Sequence, residues 1–157
     1  MKKLILTACL LPCLFAFAWT AWADFAGKVV AVADGDTVSV LRDGTNTVKI
    51  RLSGIDCPEK KQAFGQKAKQ FTSTLAGEKQ VKVIKKGQDR YGRTLGEVIL
   101  PDGRSLNREL VRAGMAWWYR RYAPKHKELE ALEKEAREAK AGLWADADPV
   151  QPWAWRK

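Results

Sequence analysis

Residues 50–59 read Ile-Arg-Leu-Ser-Gly-Ile-Asp-Cys-Pro-Glu and combine a short strand with two carboxylates at its end. Apolar side chains alternate with Arg51 at the strand period of two, so we expect Arg51 on the face opposite them. Pro58 cannot donate a backbone hydrogen bond to a neighbouring strand, and strand pairing is expected to stop near it. A fixed cation next to Asp56 and Glu59 favours a site for a metal ion or an anion at this strand end.

The pattern around this stretch predicts a small β-barrel with helices. Two turns, residues 34–37 and 42–45, join the first three strands into a meander. Strands are predicted over residues 25–32, 38–40, 47–55, 81–84 and 95–100. Helices are predicted over about 64–76, from a cap at Ser105 or Asn107 to Gly114, and over 126–141. This order is typical of an OB-fold, so the predicted fold is mainly β with α (α+β), a five-stranded OB-fold barrel with three helices packed on it.

The last predicted helix has one apolar side and one charged side. Helical spacing places Leu129, Leu132, Ala136 and Ala139 on the buried side, and it places Glu133 with Arg137 on the solvent side. His126 is expected to be a solvated residue of this helix. The tail, residues 149–157, contains two prolines and two tryptophans and is expected to be irregular. For Trp153 and Trp155 we expect packing against the barrel, with an added binding surface as the alternative.

The N-terminus has the pattern of a signal peptide. Lys2 and Lys3 precede an apolar run over residues 4–22, and Ala21-Trp22-Ala23 fits the small-x-small rule for signal peptidase. We therefore predict a signal peptide over residues 1–23 and a domain over 24–157, exported to the periplasm or secreted. The alternative is a membrane anchor, because the run carries no charge and is just long enough to span.

Composition limits the kinds of partner and of disulfide that the protein can have. The 157 residues, 46% hydrophobic and 29% charged, allow one compact domain. Cleavage would leave 26 basic residues against 18 acidic ones, a net charge of +8. That excess favours a polyanion, either nucleic acid or an anionic surface, although a basic protein without such a partner is the alternative. Cleavage would also leave Cys57 as the single cysteine, so no internal disulfide is expected.

Three acids and two arginines form the candidate chemistry. Neighbouring carboxylates at Asp36, Asp56 and Glu59 repel one another unless they share a proton or a cation, and oxygen ligands suit Ca²⁺ or Mg²⁺. Arg51 and Arg93 can bind a phosphate through two parallel hydrogen bonds, which together indicates a phosphodiester hydrolase. The alternative is that the acids belong to turns and the arginines to surface ion pairs. With one histidine, mechanisms that need paired histidines are excluded, and Cys57 lacks a partner base.

The motifs in order resemble one family. Asp34-Gly35-Asp36-Thr37, residues 51–59, Asp89-Arg90-Tyr91-Gly92-Arg93 and the spaced residues Asn107, Leu110, Val111 and Gly114 resemble the staphylococcal (micrococcal) nuclease or thermonuclease family over about residues 28–144. The Trp- and Pro-rich tail, 145–157, lies outside the resemblance. The resemblance implies an OB-fold, a requirement for Ca²⁺, and cleavage of DNA and RNA with little sequence preference to leave 3′-phosphate ends.

The resemblance also implies roles for individual residues. Asp36 and Asp56 correspond to carboxylate ligands of Ca²⁺, and Cys57, where the family prototype has threonine, would contribute its backbone carbonyl. Glu59 corresponds to the residue that orients or deprotonates the attacking water. Arg51 and Arg93 correspond to the arginines that stabilise the transition state and the leaving 5′-oxygen.

The resemblance places Arg90, Tyr91, Tyr119 and Tyr122 where the family prototype contacts the terminal phosphate and base of a nucleotide, and exposed rings can stack on bases. The partners implied are DNA and RNA, with no stable protein partner, a monomeric state and no membrane association after signal cleavage. Two alternatives stay open: a non-catalytic OB-fold module that binds nucleic acid, and a Ca²⁺-stabilised protein of the cell surface. Trp117 and Trp118 suit either the core or a binding surface.

Overall fold

The computed structural model describes residues 23–157, so the predicted signal peptide lies outside the described residues except for Ala23. The described residues contain seven strands, which in chain order are β1 (Phe25–Asp34), β2 (Thr37–Arg42), β3 (Asn46–Leu52), β4 (Ile55–Asp56), β5 (Gln80–Gln88), β6 (Thr94–Ile99) and β7 (Trp117–Trp118). Five of them close into a barrel in the order β1-β2-β3-β6-β5, while β4 and β7 form a separate pair. In the barrel only β3 and β6 run parallel.

The helices are α1 (Gly65–Ala76), α2 (Leu106–Arg112), α3 (Lys127–Glu138) and α4 (Pro152–Trp155), with a 3-10 turn at Gly142–Ala145 before α4. The first three are the predicted helices, and Ser105 caps α2 because its hydroxyl accepts from the backbone N–H of Arg108. The closed five-stranded barrel with its helices confirms the predicted α+β OB-fold. No helix within residues 23–157 is long and apolar enough to cross a membrane.

The third strand is shorter than predicted. β3 was expected to continue through Ile55, but it ends at Leu52 because the chain turns at Gly54, whose φ is +76°. Glycine adopts this left-handed conformation without the steric cost that a Cβ imposes. The chain then resumes as β4, which pairs with β7, and the turn brings Asp56 back to Arg51.

The barrel core and the buried side chain of Asn107 hold the turn between β3 and β4 in place. The core contains Val29, Val38, Val40, Ile50, Leu52, Val83 and Val98. Asn107 of α2 is buried, and its amide nitrogen donates to the carbonyl oxygens of Ser53 at 2.9 Å and Gly96 at 3.2 Å. Its amide oxygen accepts from the backbone N–H of Val98 at 3.2 Å. Because three segments meet on one side chain, the turn before β4 is fixed to both α2 and β6.

The start of α3 differs from the prediction. His126 is the N-cap residue, and its Nδ1 accepts from the backbone N–H of Leu129 at 3.3 Å. The ring satisfies one of the unpaired N–H groups of the first turn, so His126 caps the helix instead of lying within it, and it is partly exposed. The helix ends at Glu138, which leaves Ala139 exposed rather than on the buried stripe.

Glu133 was predicted on the solvent side of α3, and it is buried. Its carboxylate accepts from the backbone N–H of Trp118 at 3.2 Å. The guanidinium groups of Arg120 and Arg137 lie 3.6 Å from the same side chain. A carboxylate that satisfies a buried strand N–H and is compensated by two cations is stable inside, which periodicity alone does not predict.

The tail is ordered and docked rather than irregular. Pro152 opens α4 and is buried, and Trp153 stacks on Tyr119 with ring centroids 5.0 Å apart and an angle of 1° between the planes. Trp117 and Trp118 are both buried, so of the two alternatives for this pair the core applies. Trp153 packs on Tyr119 and on Trp117 of β7, which lies outside the barrel, while Trp155 is half exposed.

Candidate active site

Arg51 joins the two buried acids of the candidate site. The pairing of β2 with β3 sets Thr37 opposite Arg51, which places Asp36, one residue earlier, beside the guanidinium. Nη1 lies 3.1 Å from Oδ2 of Asp36, and Nη2 donates to Oδ1 of Asp56 at 2.8 Å. The guanidinium also donates to the carbonyl oxygens of Leu52 and Ile55, so the turn between β3 and β4 holds it in place.

Asp36 lies in an environment that disfavours its charge. Burial raises the pKa of Asp36 from 3.8 to about 7; Arg51 opposes this shift, and the negative charges of Asp34 and Asp56 add to it. The backbone N–H of Cys57 donates to Oδ2 of Asp36 at 2.7 Å and also favours the ionised form. The acids at this position therefore exceed what one arginine compensates, and an additional cation would stabilise them.

The side chain of Cys57 has a packing role. The residue is buried and not in a disulfide, and burial raises the pKa of its thiol well above the ordinary value. A Cβ on Gly35 would lie 2.8 Å from its Sγ, so the turn before Asp36 packs directly on this residue. A thiol held protonated in the interior is a poor nucleophile, which leaves the backbone as the part of Cys57 that can serve the site.

Glu59 lies at the edge of the same cluster, with 38% of its side chain exposed. Its backbone N–H donates to Oε1 of Gln62 at 3.0 Å, which orders the loop after Pro58. Its carboxylate accepts from Arg156 Nη1 at 2.6 Å. Arg156 also donates from Nη2 to Oδ2 of Asp56 at 2.5 Å, so this tail residue joins two of the acids.

Sequence reasoning missed Arg156. The residue lies 100 positions after Asp56, outside every motif, and one basic residue in a basic tail gives no signal of such a contact. Only the docking of α4 on the surface of β7 brings it there.

Arg93 does not pair with Asp36, Asp56 or Glu59 but with an acid of its own loop. It ends the loop between β5 and β6, where its Nε donates to Oδ2 of Asp89 at 2.7 Å. Partial burial opposes the shift, but hydrogen bonds from Arg93 and the loop backbone lower the pKa of Asp89. Thr94, the next residue, pairs with Ile50 of β3, and Leu95 pairs with Arg51, so the loop ends next to the part of β3 that carries Arg51.

The β5–β6 loop presents Arg90 and Tyr91 to solvent. Tyr91 is 68% exposed, and the guanidinium groups of Arg90 and Arg93 lie 4.9 and 5.6 Å from its ring centroid. Arg90 Nη2 also donates to the Tyr91 hydroxyl at 2.7 Å. An exposed ring between two cations is suited to a phosphate and an adjoining base.

The two predicted tyrosines after β7 differ from each other. Tyr122 is 70% exposed and meets Tyr119 edge to face at 4.8 Å. Trp153 covers one face of Tyr119, so that face is closed to a base. Beside this stack runs a groove of about 810 Å³ whose lining includes Trp118, Arg120, Arg121, Lys134 and Arg137.

The donor set fits a hard divalent cation. In the described part of the chain, no cluster of three or more His, Cys, Asp or Glu side chains is arranged to hold a metal ion. The predicted set is different, because it consists of two carboxylates and one backbone carbonyl. Asp36 and Asp56 are buried, share Arg51 and carry only oxygen donors, and cations of this class complete such sets with water. The raised pKa of Asp36 agrees with a place where positive charge is needed.

Comparison with known proteins identifies relatives. A family model described as "Staphylococcal nuclease homologue" matches residues 49–146. An "Uncharacterized endonuclease" of Escherichia coli O157:H7 is 49% identical over 144 residues, which cover 91% of this chain and 93% of that protein. A "Micrococcal nuclease" of Shigella flexneri is 44% identical over 146 residues, which cover 87% of this chain and 83% of that protein. Of the predicted site residues, only Asp36 precedes the part matched by the family model.

Proposed function

The chain belongs to the staphylococcal nuclease homologue family, and from that premise we propose that it is a Ca²⁺-dependent endonuclease that hydrolyses DNA and RNA with little sequence preference. The observation that carries the proposal is the contact of Arg51 with both Asp36 and Asp56, with Glu59 at the edge of the same cluster. The names of the relatives agree with nuclease activity. A need for a metal ion is a property of the family. Hard oxygen ligands suit Ca²⁺ or Mg²⁺, and the resemblance to the micrococcal nucleases favours Ca²⁺.

The cation would be held by the carboxylates of Asp36 and Asp56 and by the carbonyl of Cys57. When bound, Ca²⁺ supplies positive charge to the phosphate oxygens and polarises a water molecule. Arg51 is fixed by its backbone contacts, so it can meet a phosphate oxygen without first being ordered. Its remaining role is to stabilise the negative charge that builds on the non-bridging oxygens.

Glu59 is the proposed base. Its carboxylate is more than a third exposed, so a water molecule can reach it, and its backbone is held by Gln62. In the proposed reaction the water oxygen forms a bond to phosphorus while Glu59 takes one proton. The bond between phosphorus and the 5′-oxygen breaks, and that oxygen takes a proton from solvent. The products are a 3′-phosphate end and a 5′-hydroxyl end.

Arg93 is proposed as the second phosphate-binding guanidinium. In the structure it is paired with Asp89, at the start of the strand that lies next to β3. We propose that a bound phosphate draws it from Asp89, since 29% of its side chain is exposed and negative charge builds on the phosphate oxygens in the transition state. Arg90, Tyr91 and Tyr122 are proposed to contact the flanking nucleotide.

The basic chain, with a net charge of +10, favours polyanionic substrates and makes binding dependent on salt. We also propose export, from the predicted signal peptide. Fractionation of cells that express the full chain, followed by N-terminal sequencing, checks this. A mature protein in the periplasm or medium that begins at Asp24 supports export, and an uncleaved protein in the cytoplasm contradicts it.

The experiment that tests the proposed activity is a digest with analysis of the ends. Single-stranded DNA and RNA are incubated with the purified protein and Ca²⁺. The 5′ ends and the 3′ ends of the products are then labelled with and without prior phosphatase treatment, which shows which end carries the phosphate. We expect 5′-hydroxyl and 3′-phosphate ends from both substrates. Products with 5′-phosphate ends would contradict the proposed bond cleavage, and salt-sensitive binding without products would favour the alternative of a non-catalytic OB-fold module.

A further inference from the structure

The C-terminal tail places a third guanidinium in the candidate active site. Arg156 Nη2 donates to Oδ2 of Asp56 at 2.5 Å, and Nη1 lies 3.3 Å from Oδ1 of Asp56 and 2.6 Å from Oε1 of Glu59. The hydrogen bond with Asp56 is the main cause that raises the pKa of Arg156 above its ordinary value. The residue lies beyond the part of the chain that the family model matches, residues 49–146.

Both oxygens of Asp56 are occupied by these contacts. Oδ1 accepts from Arg51 and lies near Arg156, while Oδ2 accepts from Arg156. A divalent cation needs at least one of these oxygens, and it would lie within a few ångströms of the Arg156 guanidinium. Two positive groups this close repel each other where solvent is partly excluded. Arg51 is anchored by the carbonyl oxygens of Leu52 and Ile55, so the more exposed Arg156 is the guanidinium that a cation at Asp56 would displace.

We propose that Arg156 competes with the divalent cation for Asp56 and Glu59, and that it is a positioning residue which sets the cation affinity of the site. This inference rests on the proposed function, because it assumes that the cation binds to Asp56. Without the cation, Arg156 keeps Asp56 and Glu59 together and compensates their charges. With the cation, its side chain leaves and Glu59 becomes available to a water molecule.

The tail can release Arg156 without undocking. Its anchors precede the residue: Pro152 is buried, Trp153 stacks on Tyr119, and Gln62 Nε2 donates to the carbonyl oxygen of Val150 at 2.5 Å. The Arg156 side chain is 42% exposed and follows the last residue of α4, so rotation of the side chain alone moves it into water. The competition therefore requires a change of rotamers rather than unfolding of the tail.

The test measures Ca²⁺ binding by calorimetry, which does not depend on catalysis. The variants are Arg156→Gln, Arg156→Lys and, as the matched control, Lys157→Gln, which removes the same charge from the neighbouring residue. If the docked arginine is populated about 90% of the time, its removal raises the apparent Ca²⁺ affinity about tenfold. We expect about that gain for Arg156→Gln, an intermediate affinity for Arg156→Lys, and a change of less than about twofold for Lys157→Gln, whose charge is screened by solvent.

A thermal melt gives a second readout that a merely structural role would not move. Arg156→Gln is expected to melt below the wild type without Ca²⁺, because it loses its ion pairs, and to gain more than the wild type when Ca²⁺ is added. Equal losses with and without Ca²⁺ would overturn the competition, as would equal or weaker Ca²⁺ binding by Arg156→Gln. Those results leave the proposed function standing, whereas absence of Ca²⁺ binding in every variant contradicts both the competition and the proposed metal site.

Discussion

Arg51 donates from Nη2 to Oδ1 of Asp56 across 2.8 Å, and the two side chains are only 13% and 1% exposed. The same guanidinium lies 3.1 Å from Asp36, so it contacts two buried carboxylates, of which Asp56 also pairs with Arg156. Breaking a buried ion pair from one side leaves an uncompensated charge inside, which costs far more than the loss of a surface pair. Stability and catalysis are therefore expected to depend on the same residue.

Replacement of Arg51 separates these two contributions. Arg51→Ala is expected to lower the free energy of unfolding by about 3 to 5 kcal/mol, because Asp36 and Asp56 lose their common partner. Arg51→Lys keeps a charge but loses the planar fork, so it should restore part of the stability while kcat stays about 10²- to 10³-fold below wild type. Urea denaturation and initial rates measure the two effects. Wild-type kcat in Arg51→Lys would exclude a role for the fork in the transition state.

Glu59→Gln tests the proposed base. The change keeps the size of the side chain and removes its ability to take a proton, so kcat should fall about 10²- to 10⁴-fold. Stability should change little, since Glu59 is partly exposed. Glu78→Gln is the control, because Glu78 is 72% exposed and pairs with Lys28 on the surface. A Glu59→Gln enzyme that cleaves as fast as the control would show that another group accepts the proton.

The raised pKa of Asp36 predicts that the stability of the protein depends on pH. Its pKa is raised from 3.8 to about 7 in the folded protein, so between these values the unfolded chain has released a proton that the folded chain keeps. The contribution of Asp36 to the stability of the metal-free protein should therefore be greatest below about pH 4 and should fall as pH rises to about 7. Ca²⁺ needs the ionised form, so it should raise the melting temperature more at about pH 8 than at about pH 5.5.

The control for this prediction is Asp36→Asn, which has no proton to exchange in that range. In this variant the melting temperature should change much less with pH between about 4 and 7, and it should respond little to Ca²⁺. Thermal melts of both proteins across the pH range, with Ca²⁺ and with chelator, provide the comparison. An unchanged slope in Asp36→Asn would assign the pH dependence to another group.

Much of the barrel could be predicted because its signals are local. Alternation at the strand period, glycine turns and helix caps each depend on a few neighbouring residues, and Ser105, which caps α2, was one of the two caps predicted in this way. The break after Leu52 was missed, because the alternation continues past Gly54 although the backbone turns there. The acids around Arg51 could be anticipated, since turn and strand ends place them at one edge.

The missed features depend on contacts between distant segments. Glu133 is buried because Trp118, fifteen residues earlier, presents a backbone N–H to it, and helical periodicity contains no information about that partner. Arg156 reaches Asp56 only because Trp153 and Pro152 dock the tail. The pairing of Arg93 with Asp89 is likewise a loop contact that the spacing of the motif left open.

Glu133 yields a prediction about stability alone. Glu133→Ala leaves the buried N–H of Trp118 without its acceptor and should lower the free energy of unfolding by about 1 to 3 kcal/mol. Glu133→Gln keeps an acceptor oxygen and should lose less. Because β7 pairs with β4, which carries Asp56, denaturation and kcat should be measured on the same samples. A large loss of kcat in folded Glu133→Gln would mean that its charge also serves the site.

The central claim is that a divalent cation at Asp36 and Asp56 acts beside Arg51 on a phosphodiester. The most direct measurement is the initial rate of single-stranded DNA cleavage by the purified protein with Ca²⁺, after addition of a chelator, and after Ca²⁺ is restored in excess. We predict cleavage with Ca²⁺, its loss with the chelator and its return when Ca²⁺ is restored, with no cleavage by Asp36→Asn at any stage. Cleavage that continues in the chelator, or that Asp36→Asn performs at the wild-type rate, would contradict the account.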